Sequence, residues 1–192
     1  MIIACDMDDV LVDFWPTLLA FYNERHKTDF CKDHFLSYSA WETWGGTREE
    51  AIEECYEFYK TDAFKMITPV NGAVTAVNHL VDAHELSVVT GRPHETADTT
   101  RESLDIHFFG RFNSVYHTNA FSRINAPSSK ADVCAEIGAT VIIEDYLGHA
   151  IECANAGMRV LLFDQPWNRG QIVCGGLIER VYSWGEVCEK LL

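Results

Sequence analysis

The chain has 192 residues, 47% hydrophobic and 23% charged, which is enough for one full core and unlike the composition of a disordered chain. Its net charge is −14, from 15 basic and 29 acidic residues, and the Lys and Arg form no cluster, so a nucleic-acid polymer or an anionic membrane surface is excluded as a partner. Seven cysteines, odd in number and without a C-x-x-C pair, argue against a disulfide framework and a zinc site.

The chain opens with Ile2 to Cys5, a short apolar run of strand type that empties into Asp6, Asp8 and Asp9. Clustered carboxylates at the end of a buried strand raise one another's pKa or demand a cation, and carboxylate oxygen suits Mg²⁺. After Asp13 the pattern turns helical, with Pro16 in the first turn and Leu18, Leu19, Tyr22 and Arg25 at helical spacing. From Thr28 to Gly46 the chain is irregular and aromatic. Thr47 and Glu50 then form a capping box that opens a helix to about Lys60. Of the 23 aromatic residues, 13 lie between Phe14 and Phe64, which sets this segment apart as a small helical cap. Its aromatics either build the cap's own core or face a ligand.

From Pro69 onward helix and strand alternate. A stripe of Ala73, Val74, Val77, Leu80 and Val81 predicts a helix, and Leu86 to Val89 a strand that stops at Thr90-Gly91-Arg92-Pro93. A helix from about Glu95 to Leu104 and a weak strand at Ser114 to His117 follow. Ser128 or Ser129 caps a helix to Ile137, and Thr140 to Ile143 is a buried strand ending in Glu144-Asp145. A helix to Ala156 stops at Gly157. Arg159 to Phe163, an edge strand near Arg180 to Tyr182 and a last helix complete the chain.

Alternating elements of this kind predict an α/β fold, a Rossmann-like parallel sheet covered on both faces, with the cap inserted after the first strand. The expected division is a core of 1–13 and 70–192 and a cap of 14–69. Open sheets of this class bind ligands at the carboxyl ends of their strands. Those ends carry Asp6 and Asp8, Thr90 and Arg92, and Glu144 and Asp145. No dinucleotide fingerprint and no Walker loop is present.

Four segments in this order, D-M-D-D-V-L-V-D-F at Asp6, V-V-T-G-R-P around Thr90, Lys130 opening a helix, and I-I-E-D ending in Glu144-Asp145, resemble the motifs of the haloacid dehalogenase superfamily. Within it the chain is similar to the cytosolic 5'(3')-deoxyribonucleotidases and their bacterial and phage relatives. The resemblance implies the haloacid dehalogenase fold, a Mg²⁺ cofactor, and hydrolysis of a small phosphomonoester, above all a (deoxy)ribonucleoside monophosphate; the scattered cysteines and the lack of a membrane-length apolar run read as a cytoplasmic protein. The alternatives are another small phosphoester handled by the same mechanism, or a non-catalytic binding module on the same fold.

Roles follow from the resemblance residue by residue. Asp6 is the nucleophile that forms an aspartyl-phosphate, and Asp8 is the general acid and then base. Asp6, Asp8 through its backbone carbonyl, and Asp145 are the metal ligands, with Glu144 a supporting carboxylate or a further ligand. His149 stands where many superfamily members carry an additional carboxylate or Asn. Thr90, Gly91 and Lys130 bind phosphate. A lysine at a helix N-terminus, where the dipole disfavours a cation, calls for such an anion. Apart from the resemblance, the cap aromatics Phe35, Tyr38, Trp41 and Trp44 are candidates to stack on a base, and Phe14, Trp41, Trp44 and Arg92 are the expected substrate contacts, Arg92 by a phosphate or ribose contact.

Overall fold

The structure is a computed structural model that describes residues 1–170 and 176–192, so Cys174 lies outside the described residues. Its first strand, β1 (Ile2–Cys5), is central. The others are β2 (Glu85–Thr90), β3 (Ser114–His117), β4 (Val141–Glu144), β5 (Arg159–Phe163) and β6 (Ile178–Val181). They form one sheet in the order β3-β2-β1-β4-β5-β6, every neighbouring pair parallel.

Side chains alternate between the two faces, as the period of two in a strand requires. Ile3, Cys5, Leu86, Val88, Val141, Ile143, Leu161 and Phe163 enter one hydrophobic cluster; Ala4, Val89, Ile142, Val160 and Leu162 enter the other. The nine helices among the described residues are α1 (Phe14–His26), α2 (Trp41–Trp44), α3 (Arg48–Tyr59), α4 (Asp62–Lys65), α5 (Ala73–Leu80), α6 (Ala97–Phe108), α7 (Lys130–Glu136), α8 (Leu147–Asn155) and α9 (Trp184–Leu191). Helices α5, α6 and α9 cover the first face, and α7 and α8 the second. None is long and apolar enough to cross a membrane among the described residues.

Local chemistry accounts for the element ends. Thr47 Oγ1 accepts from the Glu50 amide (3.2 Å) and Glu50 Oε2 from the Thr47 amide (2.8 Å), which closes the capping box of α3. Ser129, not Ser128, caps α7 by accepting from Ala131 and Asp132. The stripe on α5 is shifted from its expected line: Val74 is exposed and Ala76 is buried in its place. Small Ala lets α5 lie close to its neighbours, so apolarity alone misplaces the face.

The segment between β1 and α5 leaves and rejoins the sheet side by side. Asp13 donates its amide to Thr68 O, and Val70 to Leu11 O, both at 2.9 Å. Between these crossings lie α1 to α4. Their aromatics do not form a closed interior of their own. Trp15, Phe35, Phe58 and Phe64 belong to the same cluster as Ile3, Val88 and Trp184 of the sheet layer.

Candidate active site

In the order β3-β2-β1-β4-β5-β6 the chain reverses direction between β1 and β4, and a crevice opens at such a switch, beyond the carboxyl ends of the strands. Asp6 directly follows β1, and Glu144 and Asp145 end and follow β4. The Asp6 amide donates to Ile143 O at 2.9 Å, so the two acidic segments are tied by the sheet itself. One oxygen from each of Asp6, Glu144 and Asp145 lies within 4.8 Å of the others, and all three residues are buried.

Lys130 answers part of this charge. It is the first residue of α7, 2% exposed, with Nζ 2.7 Å from both Asp6 Oδ1 and Glu144 Oε2. Burial works against the ammonium, but the carboxylates of Asp6 and then Glu144 outweigh it and hold the lysine protonated. Burial, then the charge of Glu144, pushes Asp6 above the usual carboxylate range. Glu144 moves down despite its burial, because Lys130 and His149 stand beside it. Both Glu144 oxygens are engaged: Oε2 by Lys130, and Oε1 by the Tyr146 amide (3.1 Å) with His149 Nδ1 at 3.4 Å. Asp145 rises well above the ordinary range, through burial first and then Glu144 and Asp6.

Lys130 neutralises one of these three carboxylates, which leaves a negative surplus in a water-poor place. An all-oxygen, surplus-negative donor set of this kind fits a hard divalent cation such as Mg²⁺. Asp6 Oδ1 accepts no hydrogen bond in spite of its burial, since Lys130 meets it outside a hydrogen-bond direction. Asp6 and Asp145 keep capacity for a cation, whereas Glu144 is committed to Lys130 and Tyr146.

The loop after Asp6 is fixed from several sides. Leu11 and Val12 donate to Met7 O, Asp9 has a left-handed φ of 58°, and Gln165 Nε2 and Trp184 Nε1 donate to the carbonyls of Asp9 and Val10. Asp9 is 1% exposed; it accepts from the Trp15 amide at the start of α1 and pairs with Lys32 Nζ at 2.7 Å. Asp8 points elsewhere, to Arg92, which reaches it from the end of β2. Thr90 is fully buried and its Oγ1 accepts from the Arg92 amide at 3.1 Å. No neighbouring protein atom requires a glycine at 91: a Cβ there would meet Ala120 at an ordinary 3.5 Å, and the bare backbone serves to line the cleft.

A cleft of about 780 Å³, mouth included, opens from these residues. Its polar end holds Asp6, Asp8, Asp9, Arg92 and Asp145; its walls are Phe14, Trp15, Leu18, Tyr38, Trp41, Ile52, Cys55, Tyr59 and Phe121. Of the aromatic residues expected to meet substrate, Phe14 and Trp41 are on these walls. Trp44 does not line this cleft: its ring stacks on Tyr22 at 4.2 Å and 11° and helps line a separate hollow with His26 and Glu54.

Sequence reasoning counted Tyr38 among the cap aromatics that could stack on a base, but passed over several other wall residues. Ile52, Cys55 and Tyr59 share one face of α3, a signal present in their three- and four-residue spacing. Tyr38 stacks on Tyr146, next to Asp145, at 4.0 Å. Burial and the charges of Asp145 and Asp6 push its hydroxyl up, so it remains a donor beside the carboxylates. Phe121 follows β3 on a loop, and only the rule that sites sit beyond strand ends points to it.

The sheet order, with the acid at the end of β1 and the lysine from α7 at the same crevice, is the fold of solved structures described as haloacid dehalogenase-like hydrolases. YfnB of Bacillus subtilis, described as a candidate HAD-hydrolase and solved bound to magnesium, is 17% identical, covers 99% of this chain and 97% of its own, and has a TM-score of 0.63. A haloacid dehalogenase-like family hydrolase of Streptococcus pneumoniae is 16% identical with 100% and 98% coverage and a TM-score of 0.64. Protein Tyrosine Kinase A of Mycobacterium tuberculosis reaches a TM-score of 0.73 at 19% identity, with 99% and 97% coverage. At these identities the likeness shows the fold alone, and the same fold carries differently named activities. The family model described as "5' nucleotidase, deoxy (Pyrimidine), cytosolic type C protein" matches residues 1–192, and the chain belongs to that family. No curated protein matches it in sequence.

Proposed function

We propose that this protein is a Mg²⁺-dependent phosphomonoesterase that dephosphorylates (deoxy)ribonucleoside monophosphates through an aspartyl-phosphate at Asp6, with residues 14–69 acting as the cap over a core of 1–13 and 70–192. The observation that carries the reading is the buried Asp6–Lys130–Glu144 bridge, of which Asp6 reaches, beside Asp8, an aromatic-walled cleft. Family membership supports the nucleotide, and the cytosolic description of that family supports a cytoplasmic location. The six described cysteines are free, in keeping with a reducing compartment.

A carboxylate oxygen of Asp6 attacks phosphorus as the bond to the ester oxygen breaks. Asp8 gives its proton to that leaving oxygen, then takes one from the water that attacks the aspartyl-phosphate, which frees phosphate and restores Asp6. Lys130 holds Asp6 as an anion aimed into the cleft and offsets charge on the incoming phosphate, as does the Thr90–Gly91 strand end through its donors. Asp6, Asp145 and the carbonyl of Asp8 would hold Mg²⁺, which supplies charge shielding between carboxylate and phosphate. Trp41 and its neighbours offer flat apolar surface to a base.

Phosphate release from a panel of nucleoside monophosphates, sugar phosphates and p-nitrophenyl phosphate tests this, with EDTA and then Mg²⁺ added back. Deoxyribonucleotides are expected to lead, with ribonucleotides slower, because an apolar wall rejects an added hydroxyl by only about 10²-fold. A panel led by sugar phosphates would replace the nucleotide with another small phosphoester. Full activity in EDTA would remove the metal.

A further inference from the structure

Arg92 is the one cation lining the cleft among the described residues, and a substrate phosphate is the obvious partner for it. Its guanidinium is otherwise occupied. Nε lies 3.1 and 3.0 Å from Asp8 Oδ1 and Oδ2, and Nη2 lies 2.6 Å from Oδ1. Behind it, Nη1 donates to Thr100 Oγ1 at 3.1 Å, and the Phe64 ring, itself buried, lies 4.8 Å from the guanidinium carbon. The Arg92 side chain is 2% exposed, whereas that of Asp8 is 25% exposed. Asp8 thus faces the cleft and Arg92 stands behind it.

We infer that Arg92 is the positioning residue of the acid/base carboxylate Asp8 and not a ligand of the substrate; the inference rests on the phosphoryl-transfer reading above. Asp8 sits on the loop after the first strand, and its carboxylate is one quarter exposed. A planar fork that bonds both oxygens fixes the plane of the carboxylate as well as its place. Thr100 on α6 and Phe64 on α4 fix the fork in turn. The species so held is the carboxylate that remains once Asp8 has protonated the leaving oxygen. The same carboxylate then accepts the proton of the water whose oxygen bonds to phosphorus as the Asp6–phosphorus bond breaks. An ammonium cannot reproduce the two-point grip.

The test is a double-mutant cycle on kcat and KM for a nucleoside monophosphate, using the wild type, Arg92→Lys, Asp8→Asn and the double variant. Acid–base groups contribute about 10²–10⁴-fold, so Asp8→Asn leaves a measurable residue of activity at high enzyme concentration. Arg92→Lys is expected to lower kcat by about 10- to 100-fold with KM nearly unchanged, a part of that contribution. In the Asp8→Asn background the same change is expected to cost no more than about twofold, the spread within which independent sites add. Equal losses in both backgrounds would overturn the inference, as would a KM raised about tenfold with kcat preserved, the mark of lost uniform binding. Should Arg92→Lys not fold, Thr100→Val removes the rear hydrogen bond alone and is expected to lower kcat without raising KM, with the reverse pattern overturning the inference. A wild type that releases phosphate from no phosphomonoester would overturn the phosphatase reading and this inference together, an outcome distinct from an active enzyme with an additive cycle.

Discussion

Replacing Lys130 by Met, a side chain of similar length, isolates the electrostatic part of the site because it opens little space. The ammonium lies 2.7 Å from Asp6 and from Glu144, and the three side chains are 1%, 6% and 0% exposed. At an effective dielectric near 20 each contact amounts to about 6 kcal/mol before solvation is considered. Burial takes back several kcal/mol per ion, and removing one member of such a group costs about 3–5 kcal/mol, mostly from the charges left unpaired. For a domain of this size about 1 kcal/mol shifts Tm by roughly 2–4 °C, so the expected fall is about 6–20 °C. The melt is followed by circular dichroism in EDTA, so that no cation takes the place of the lysine. The double variant Lys130→Met/Glu144→Gln is expected to regain part of the loss, since one stranded carboxylate becomes neutral. A fall smaller than about 3 °C, roughly 1 kcal/mol, would refute the view of Lys130 as the charge that holds β1, β4 and α7 together.

Asp6→Asn is expected to abolish turnover and the acid-stable trapping of phosphate on the protein, with a native circular dichroism spectrum; more than a few per cent of wild-type kcat would exclude the covalent route. Trp41→Ala is expected to lower kcat/KM for nucleotides by about five- to 150-fold, if stacking is worth about 1–3 kcal/mol per base as in single-strand binders. Trp44→Ala is expected to leave KM unchanged and instead to lower stability by about 1–3 kcal/mol, less than the loss for a wholly buried Trp, in denaturant titration. Glu179 is paired with Arg159 at 2.6 Å and Lys190 at 2.9 Å, which lower its folded pKa from 4.5 to about 2. A depressed carboxylate contributes stability above its unfolded pKa and loses it as pH falls toward the folded one. The stability difference between wild type and Glu179→Gln is therefore expected to be constant at pH 6 to 7 and to shrink between pH 4.5 and 2, and a difference independent of pH would remove the role assigned to this pair.

Strands β1, β4 and β5 and their polar ends were legible because each is a local signal, a mainly apolar run four to five residues long and then a carboxylate. Lys130 was legible for a physical reason, since a cation at a helix start needs an anion, and Asp6 and Glu144 supply it. What failed to show was pairing across distance. Arg92 and Asp8 are 84 residues apart, and Lys32 and Asp9 are 23 apart, so no spacing rule connects them. The tryptophans show a different limit. Trp41 and Trp44 sit on a single helical turn that ends at Gly45, with φ of 90°. One turn has no repeating face, so periodicity could not tell the ring that lines the cleft from the ring that stacks on Tyr22. Val74 was misplaced because the residue that is buried instead, Ala76, carries almost no hydrophobic signal.

The hydrophobic cluster that joins Trp15, Phe58 and Phe64 of the insertion to Ile3, Val88 and Trp184 of the sheet layer has a thermodynamic consequence. A lid with an interior of its own would melt as a separate unit, giving a broad or two-stage calorimetric trace. Here the insertion and the sheet share their buried surface, and Lys32 ties the insertion to Asp9 at the turn that follows the first strand. The insertion has no interior apart from the cluster it shares with the first face of the sheet, so the whole chain should unfold in one cooperative transition, with calorimetric and van't Hoff enthalpies equal. Excision of the insertion would then uncover the first face of the sheet and destabilise the remaining chain.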